Sequence, residues 1–219
     1  MIYIIYPIDE TTEFLLEIPR RIVEKHGEKS IEVIKMLPSE ESYKEVFQAI
    51  EKIPSGSVVI FMGHGQEDKL WGAENESFIK QSFVSKSQSK VFSEKFIFLL
   101  SCNSNDFIKG TFRFSKAISS IGFGNLPTEK SEIENSKRLK EQGVNEETIN
   151  KFKESIIELV SDSFCHMIHN KLTFSQLGNS FLLRLNKKIS QVILDDTKSK
   201  DNRILADLLF QMKSEIVFI

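Results

Sequence analysis

Val58-Val59-Ile60-Phe61-Met62-Gly63-His64-Gly65 and Phe96-Ile97-Phe98-Leu99-Leu100-Ser101-Cys102-Asn103-Ser104 decide the fold. Each is a run of apolar, β-favouring residues that stops abruptly in small or polar ones. The first delivers a histidine at its end. The second delivers a cysteine, 38 positions later (102 − 64). They read as neighbouring strands of a parallel sheet.

Working outward toward the N-terminus, Ile2 to Tyr6 is a short apolar run before Pro7 and fits a first strand. Asp9-Glu10-Thr11-Thr12 is a helix start, with acids near the positive end of the dipole. Phe14, Leu15, Ile18, Ile22 and Val23 follow at helical spacing, with Pro19 marking a kink or the helix start. Ile31 to Met36 is a second strand. Pro38-Ser39-Glu40-Glu41 caps a second helix, whose apolar face is Tyr43, Val46, Phe47 and Ile50. The order so far is β-α-β-α-β, which predicts a parallel sheet with helices on both faces. In such sheets ligands and catalytic groups gather at the carboxyl ends of the strands. His64 and Cys102 both fall at that edge.

Working outward toward the C-terminus, residues 66–95 are polar, with Phe78, Ile79 and Phe83 as a weak helical face. Ser85 to Lys90 reads as a solvated loop. A helix is expected from about Thr111, then a strand in Ser120 to Thr128. The charged stretch at about 129–170 reads as a helical elaboration in which Asn145-Glu146-Glu147 caps a long helix. Ile149, Phe152, Ile156, Val160, Phe164 and Met167 line one side of that helix. Phe174 to Lys188 and Asn202 to Lys213 read as helices, Asp195 to Asp201 as a polar linker, and Glu215 to Ile219 as an edge strand. The expectation is a single α/β domain over 1–219, with about five to six mostly parallel strands and added C-terminal helices.

The totals narrow the function classes. The chain has 219 residues, eighteen Phe and a net charge of −2. That is ample for a core, and it lacks the basic footprint of a nucleic-acid binder. No run of about 18 apolar residues exists, so no membrane partner is expected. The N-terminus reads as a strand rather than a signal peptide. Two cysteines argue against a disulfide scaffold, so a cytoplasmic protein with reduced thiols is expected.

A thiol is the best neutral-pH nucleophile among side chains, and an adjacent histidine activates it. The attacked carbonyl then needs backbone N–H donors. Gly65, lacking a Cβ, and Cys102 itself are the candidates. Such chemistry needs no metal or cofactor, and none is expected. Cys165 and His169 share a helix face at i, i+4, but a structural zinc site takes four ligands. No phosphate-binding glycine loop occurs. Either tip residue taken singly reads as ordinary, a small buried thiol or a turn histidine. Their coincidence on two strand ends points to a dyad.

Strand-Gly63-His64-Gly65 followed by strand-Ser101-Cys102-Asn103-Ser104 resembles the caspase-like cysteine proteases, and is most similar to their bacterial CHAT branch. Ile121-Gly122-Phe123-Gly124-Asn125-Leu126-Pro127-Thr128 is similar to the strand that follows the cysteine helix in that branch, with Leu126 where a Trp is common. Phe164 to Phe181 resembles its late helix pair. The resemblance implies a three-layer α/β/α sandwich and an endopeptidase with His64 and Cys102 as its dyad. It further implies oxyanion donors at Gly65 and Cys102, a protein substrate, and a separate sensor or activator protein, often in bacterial defence or regulated cell death. In relatives that cut after basic residues, acids line the pocket. Asp9 is placed for that, although it also reads as a helix cap. Ser101 stands where several such relatives have Asp. Two alternatives stay open: a catalytically inactive interaction module of the same fold, and a flavodoxin-like domain that binds a small ligand.

Overall fold

The computed structural model describes residues 1–195 and 200–219. The expected polar linker at 195–201 lies largely outside the described residues. The chain divides into two compact units, Met1–Asn125 with Ile216–Ile219, and Leu126–Glu215. The second unit therefore extends well past the 129–170 elaboration expected from charge alone.

In the first unit, β1 (Ile2–Pro7) leads into a 3-10 turn, Glu10–Leu16, and then α1 (Glu17–His26). Pro19 sits in the first turn of α1, where a missing N–H costs nothing. Then come β2 (Ile31–Met36), α2 (Glu40–Lys52) and β3 (Val58–Met62). The Ser39 side chain caps α2 by accepting from the Ser42 N–H. After a small insertion, described below, β7 (Phe96–Leu100), α3 (Ser104–Ser115) and β8 (Ser119–Gly122) complete the series.

The main sheet has six strands in the order β2-β1-β3-β7-β8-β9, where β9 is Val217–Phe218. All pairs are parallel except β8 with β9 at the edge. The chain fills one side of β1 with β2, then crosses back to place β3 on the other. The carboxyl ends of β1 and β3 thus flank the topological switch point, with β7 next in line. Ile4, Ile60 and Phe98 point to one sheet face and Ile5, Val59, Phe61 and Leu99 to the other, by the period of two along a strand. All seven are almost wholly buried. Burial on both faces explains why these strands read as unbroken apolar runs. Each such side chain contributes about 1.5–3 kcal/mol.

The stretch at 66–95 differs from the sequence expectation. It forms a separate antiparallel sheet of β4 (Gly65–Gln66), β5 (Lys69–Trp71) and β6 (Ser82–Ser85). Phe83 belongs to a strand there, and with Leu70 and Val84 it is buried in the core cluster shared with α2 and α3. Ile79 is exposed. The apparent helical spacing was fortuitous, because strands of two to four residues are too short to display alternation. Ser85 to Lys90 is not a solvated loop either. A 3-10 helix spans Lys86–Phe92, opened by a capping box between Ser85 and Gln88, with Ser89 buried. α3 starts at Ser104 rather than near Thr111, because Phe107 and Ile108 are its buried face while Phe112 and Phe114 are exposed.

Every regular element of the second unit among the described residues is a helix. Two short charged helices, α4 (Lys130–Asn135) and α5 (Lys137–Gln142), end at Gly143 in a left-handed conformation. The long helices α6 (Glu146–Asn170), α7 (Phe174–Leu194) and α8 (Lys200–Glu215) pack on one another. Asn145 caps α6 as expected. Ile149, Phe152, Ile156, Val160 and Phe164 of α6 are buried, as are Leu177, Phe181 and Leu185 of α7. Cys165 is buried too, while His169, four residues on along the same helix, is exposed.

Candidate active site

Register places the two tips side by side. Met62 of β3 pairs with Leu100 of β7, so His64 and Cys102 each stand two residues beyond a paired position. Neighbouring strands lie about 4.8 Å apart. Gly65 closes the remaining gap. A Cβ built on it would lie 2.7 Å from both the Cys102 carbonyl oxygen and Ser101 Oγ. Only glycine lets the His64 turn approach the cysteine turn this closely.

The cysteine tip is fixed by its backbone. Asn103 takes a left-handed conformation (φ 54°) and its N–H donates to Gly124 O at 2.9 Å, while the Asn105 N–H donates to Phe123 O at 2.9 Å. Ser104, fully buried, joins these strands: its Oγ accepts from the Phe123 N–H at 2.9 Å and has Leu99 O and Ser101 O within 2.8 Å for its own proton. Cys102 is partly exposed and stands just ahead of the N-cap of α3, where the helix dipole favours negative charge.

The histidine tip is fixed by side chains. Asp9, at the end of β1, caps the 3-10 turn, and its Oδ1 accepts from the Thr11 N–H at 2.9 Å and the Thr11 hydroxyl at 2.6 Å. Thr11 Oγ1 is also 2.7 Å from His64 Nε2. A threonine hydroxyl has one proton, and here it is spent on Asp9. Toward His64 the hydroxyl must therefore accept, so Nε2 carries a hydrogen. Asp9 Oδ2 lies 3.3 Å from the same Nε2 and 3.1 Å from Lys80 Nζ, the second an ion pair, and neither is an aligned hydrogen bond. Burial pushes the Asp9 carboxyl up, but contacts from His64, Thr11 and Lys80 outweigh it and hold the group well below the usual carboxylate range. Asp9 is only 3% exposed, whereas the His64 side chain is 23% exposed.

All the residues expected at the site thus lie on one sheet edge. Asp9 and His64 touch directly, and Gly65, Ser101 and Cys102 pack together. Asp9 is a helix cap, and its carboxylate already faces Lys80 and His64. Ser101 is buried, its Oγ without a hydrogen-bond partner among the described residues. The chain matches no family model and no curated protein, so the site is read from its own geometry. Sequence reasoning missed Thr11, Ser104 and Lys80. The Asp-x-Thr spacing of an Asx turn could have found Thr11. Ser104 and Lys80 leave no local pattern, because each acts on residues distant in sequence.

Proposed function

We propose that the chain is a cysteine endopeptidase of the caspase-like kind, similar to the CHAT branch, with Cys102 as nucleophile and His64 as its acid–base partner. The observation that carries this reading is a His64 ring held by Thr11 and Asp9 on a turn whose Gly65 packs against Ser101 and Cys102. With Nε2–H facing Thr11 and Asp9, proton exchange with a thiol falls to Nδ1. Asp9, buried and ionised, steadies the ring as it gains a positive charge, much as an aspartate does in a hydrolytic triad.

In this mechanism the Cys102 thiol gives its proton to His64 Nδ1 and the thiolate attacks a peptide carbonyl carbon. A C–S bond forms and the carbonyl oxygen becomes an oxyanion, stabilised by backbone N–H groups of Gly65 and Cys102. Collapse breaks the C–N bond, and the departing amine takes the proton from His64. Water, activated by His64, then hydrolyses the thioester. A substrate cation aimed at Asp9 would have to displace Lys80, which disfavours a basic side chain at that position. Its cysteine usage favours a cytoplasmic enzyme; by the resemblance it acts on a protein substrate and is switched on by a separate sensor or activator, in defence or regulated cell death. Among the described residues no helix is long and apolar enough to cross a membrane.

The test is labelling by a thiol-reactive acyloxymethyl ketone probe. Cys102 is expected to react, with the signal abolished by Cys102→Ala and slowed about a hundredfold or more by His64→Ala. Equal labelling of Cys165, or indifference to His64, defeats the reading.

A further inference from the structure

Lys80 belongs to the connection between β5 and β6, a stretch with no part in the sheet that carries the tips. The connection is nevertheless seated firmly beside them. Its backbone is tied to the end of β1 by the Glu74 N–H, which donates to Ile8 O at 3.3 Å. Tyr43 of α2 clamps its start: the Tyr43 hydroxyl donates to Ala73 O at 2.5 Å, and a Cβ on Gly72 would fall 2.1 Å from the phenol ring. From this seat Lys80 reaches two acids. Its Nζ is 3.1 Å from Asp9 Oδ2 and 2.5 Å from Glu74 Oε1. The Lys80 side chain is 20% exposed and that of Asp9 only 3%, so the pair lies mostly out of water.

A carboxylate this buried needs a cation to stay in place. His64 can supply one only while it holds a second proton, and the proposed reaction requires it to give that proton up. A permanent cation on the same oxygen removes this conflict. We infer that Lys80 is a positioning residue for His64, acting through Asp9: it holds Oδ2 against the imidazole and offsets the carboxylate charge through both halves of the proton exchange. The inference rests on the proposed dyad for its catalytic meaning, but the contact itself does not. Among the described residues, the groups near this cluster include Glu74, which shares Lys80 with Asp9, the phenols of Tyr6 and Tyr43, and Glu13 beside Tyr6. Both phenols titrate above their usual value, driven first by burial, and Lys80 is the one ammonium of this set that lies against Asp9 Oδ2.

The test compares the intact chain with Lys80→Met, Lys80→Arg and Glu74→Gln, with folding checked by thermal melts. Two readouts are used. The first is the His64 Nε2–H proton in ¹H–¹⁵N spectra, protected from solvent exchange when Asp9 and Thr11 hold it. The second is the rate of Cys102 alkylation by iodoacetamide across pH 5 to 9. With Lys80→Met the protected proton is expected to vanish, and alkylation near pH 7 to change about fivefold with a displaced pH profile, the size of one screened charge at this range. Lys80→Arg is expected to keep the proton and stay within about twofold, because it restores the charge. Glu74→Gln is also expected to stay within about twofold, because Lys80 keeps Asp9. If Lys80→Met leaves both readouts unchanged, or Lys80→Arg fails with it, the inference is overturned. If Glu74→Gln matches Lys80→Met, the connection acts by its seating and not through Asp9, which also overturns it. Alkylation that ignores His64 would sink the peptidase reading alone, and the His64 proton would still judge Lys80.

Discussion

The two strand tips meet at one edge but are held by opposite means. The Cys102 turn is fastened by backbone: a left-handed Asn103, paired N–H and C=O groups of the 103–105 and 123–124 segments, and one buried hydroxyl at Ser104. None of these groups titrates. The His64 turn is fastened by charge, through Asp9, Thr11 and Lys80. A nucleophile needs a fixed position, which covalent geometry and amide hydrogen bonds supply at any pH. An acid–base group needs an environment that tolerates a change of charge. Variants of the first tip should therefore shift stability alike at every pH, and variants of the second should not.

The largest effect is expected on the cysteine side. A Cβ on Gly122 would lie 2.8 Å from Ser104 O, 2.9 Å from Asn105 N and 2.5 Å from Ile108 Cδ1. The first two are backbone atoms at the start of α3, so the helix would have to move away from β8. Gly122→Val should cost about 3 kcal/mol in urea unfolding, by the same amount at pH 5 and pH 8. A cost that depends on pH would show that the two tips are not independent.

Asp9→Asn comes next, and its effect should vary with pH. The folded-state carboxyl lies below its unfolded value, so the ionised form stabilises the fold above the usual carboxylate range. That contribution is complete above about pH 5 and is lost as the pH falls through about 4 toward the lower folded value. The amide keeps the shape and loses the charge. Asp9→Asn should therefore cost about 2 kcal/mol at pH 7, and the gap to the parent should close as the pH is lowered. A constant gap in urea midpoints from pH 7 to pH 3 would mean that Asp9 is held by hydrogen bonds alone.

The same contrast explains what was legible in the sequence. Ile4, Ile60 and Phe98 sit in runs whose burial on both faces writes itself as unbroken apolarity, so the strands and the positions of His64 and Cys102 at their ends could be placed from the pattern. Helix caps at Ser39 and Asn145 were legible because a cap is a local device. Lys80 and Ser104 were not, since a lysine in a polar stretch and a serine after a cysteine look the same whether solvated or bonded to distant strands. β4 to β6 escaped for a different reason. Leu70, Phe83 and Val84 are core residues in strands too short for a period to emerge, and the Ser85–Gln88 capping box was the one usable signal nearby.

The smallest effect separates the hydroxyl from the carboxylate on the histidine side. Thr11→Val keeps the shape of the side chain and the backbone N–H that donates to Asp9 Oδ1, but removes the oxygen that accepts from His64 Nε2–H. Asp9 Oδ2 still faces the same nitrogen at 3.3 Å and can take the hydrogen with a small turn of the ring. The loss should be about 1 kcal/mol in stability, with Cys102 labelling slowed about two- to threefold. Asp9→Asn should slow it more, because it removes the charge that supports the imidazolium and leaves the hydroxyl in place. If Thr11→Val slows labelling as much as Asp9→Asn does, ring alignment by the hydroxyl outweighs the charge. The histidine tip would then be held by the same uncharged means as the cysteine tip.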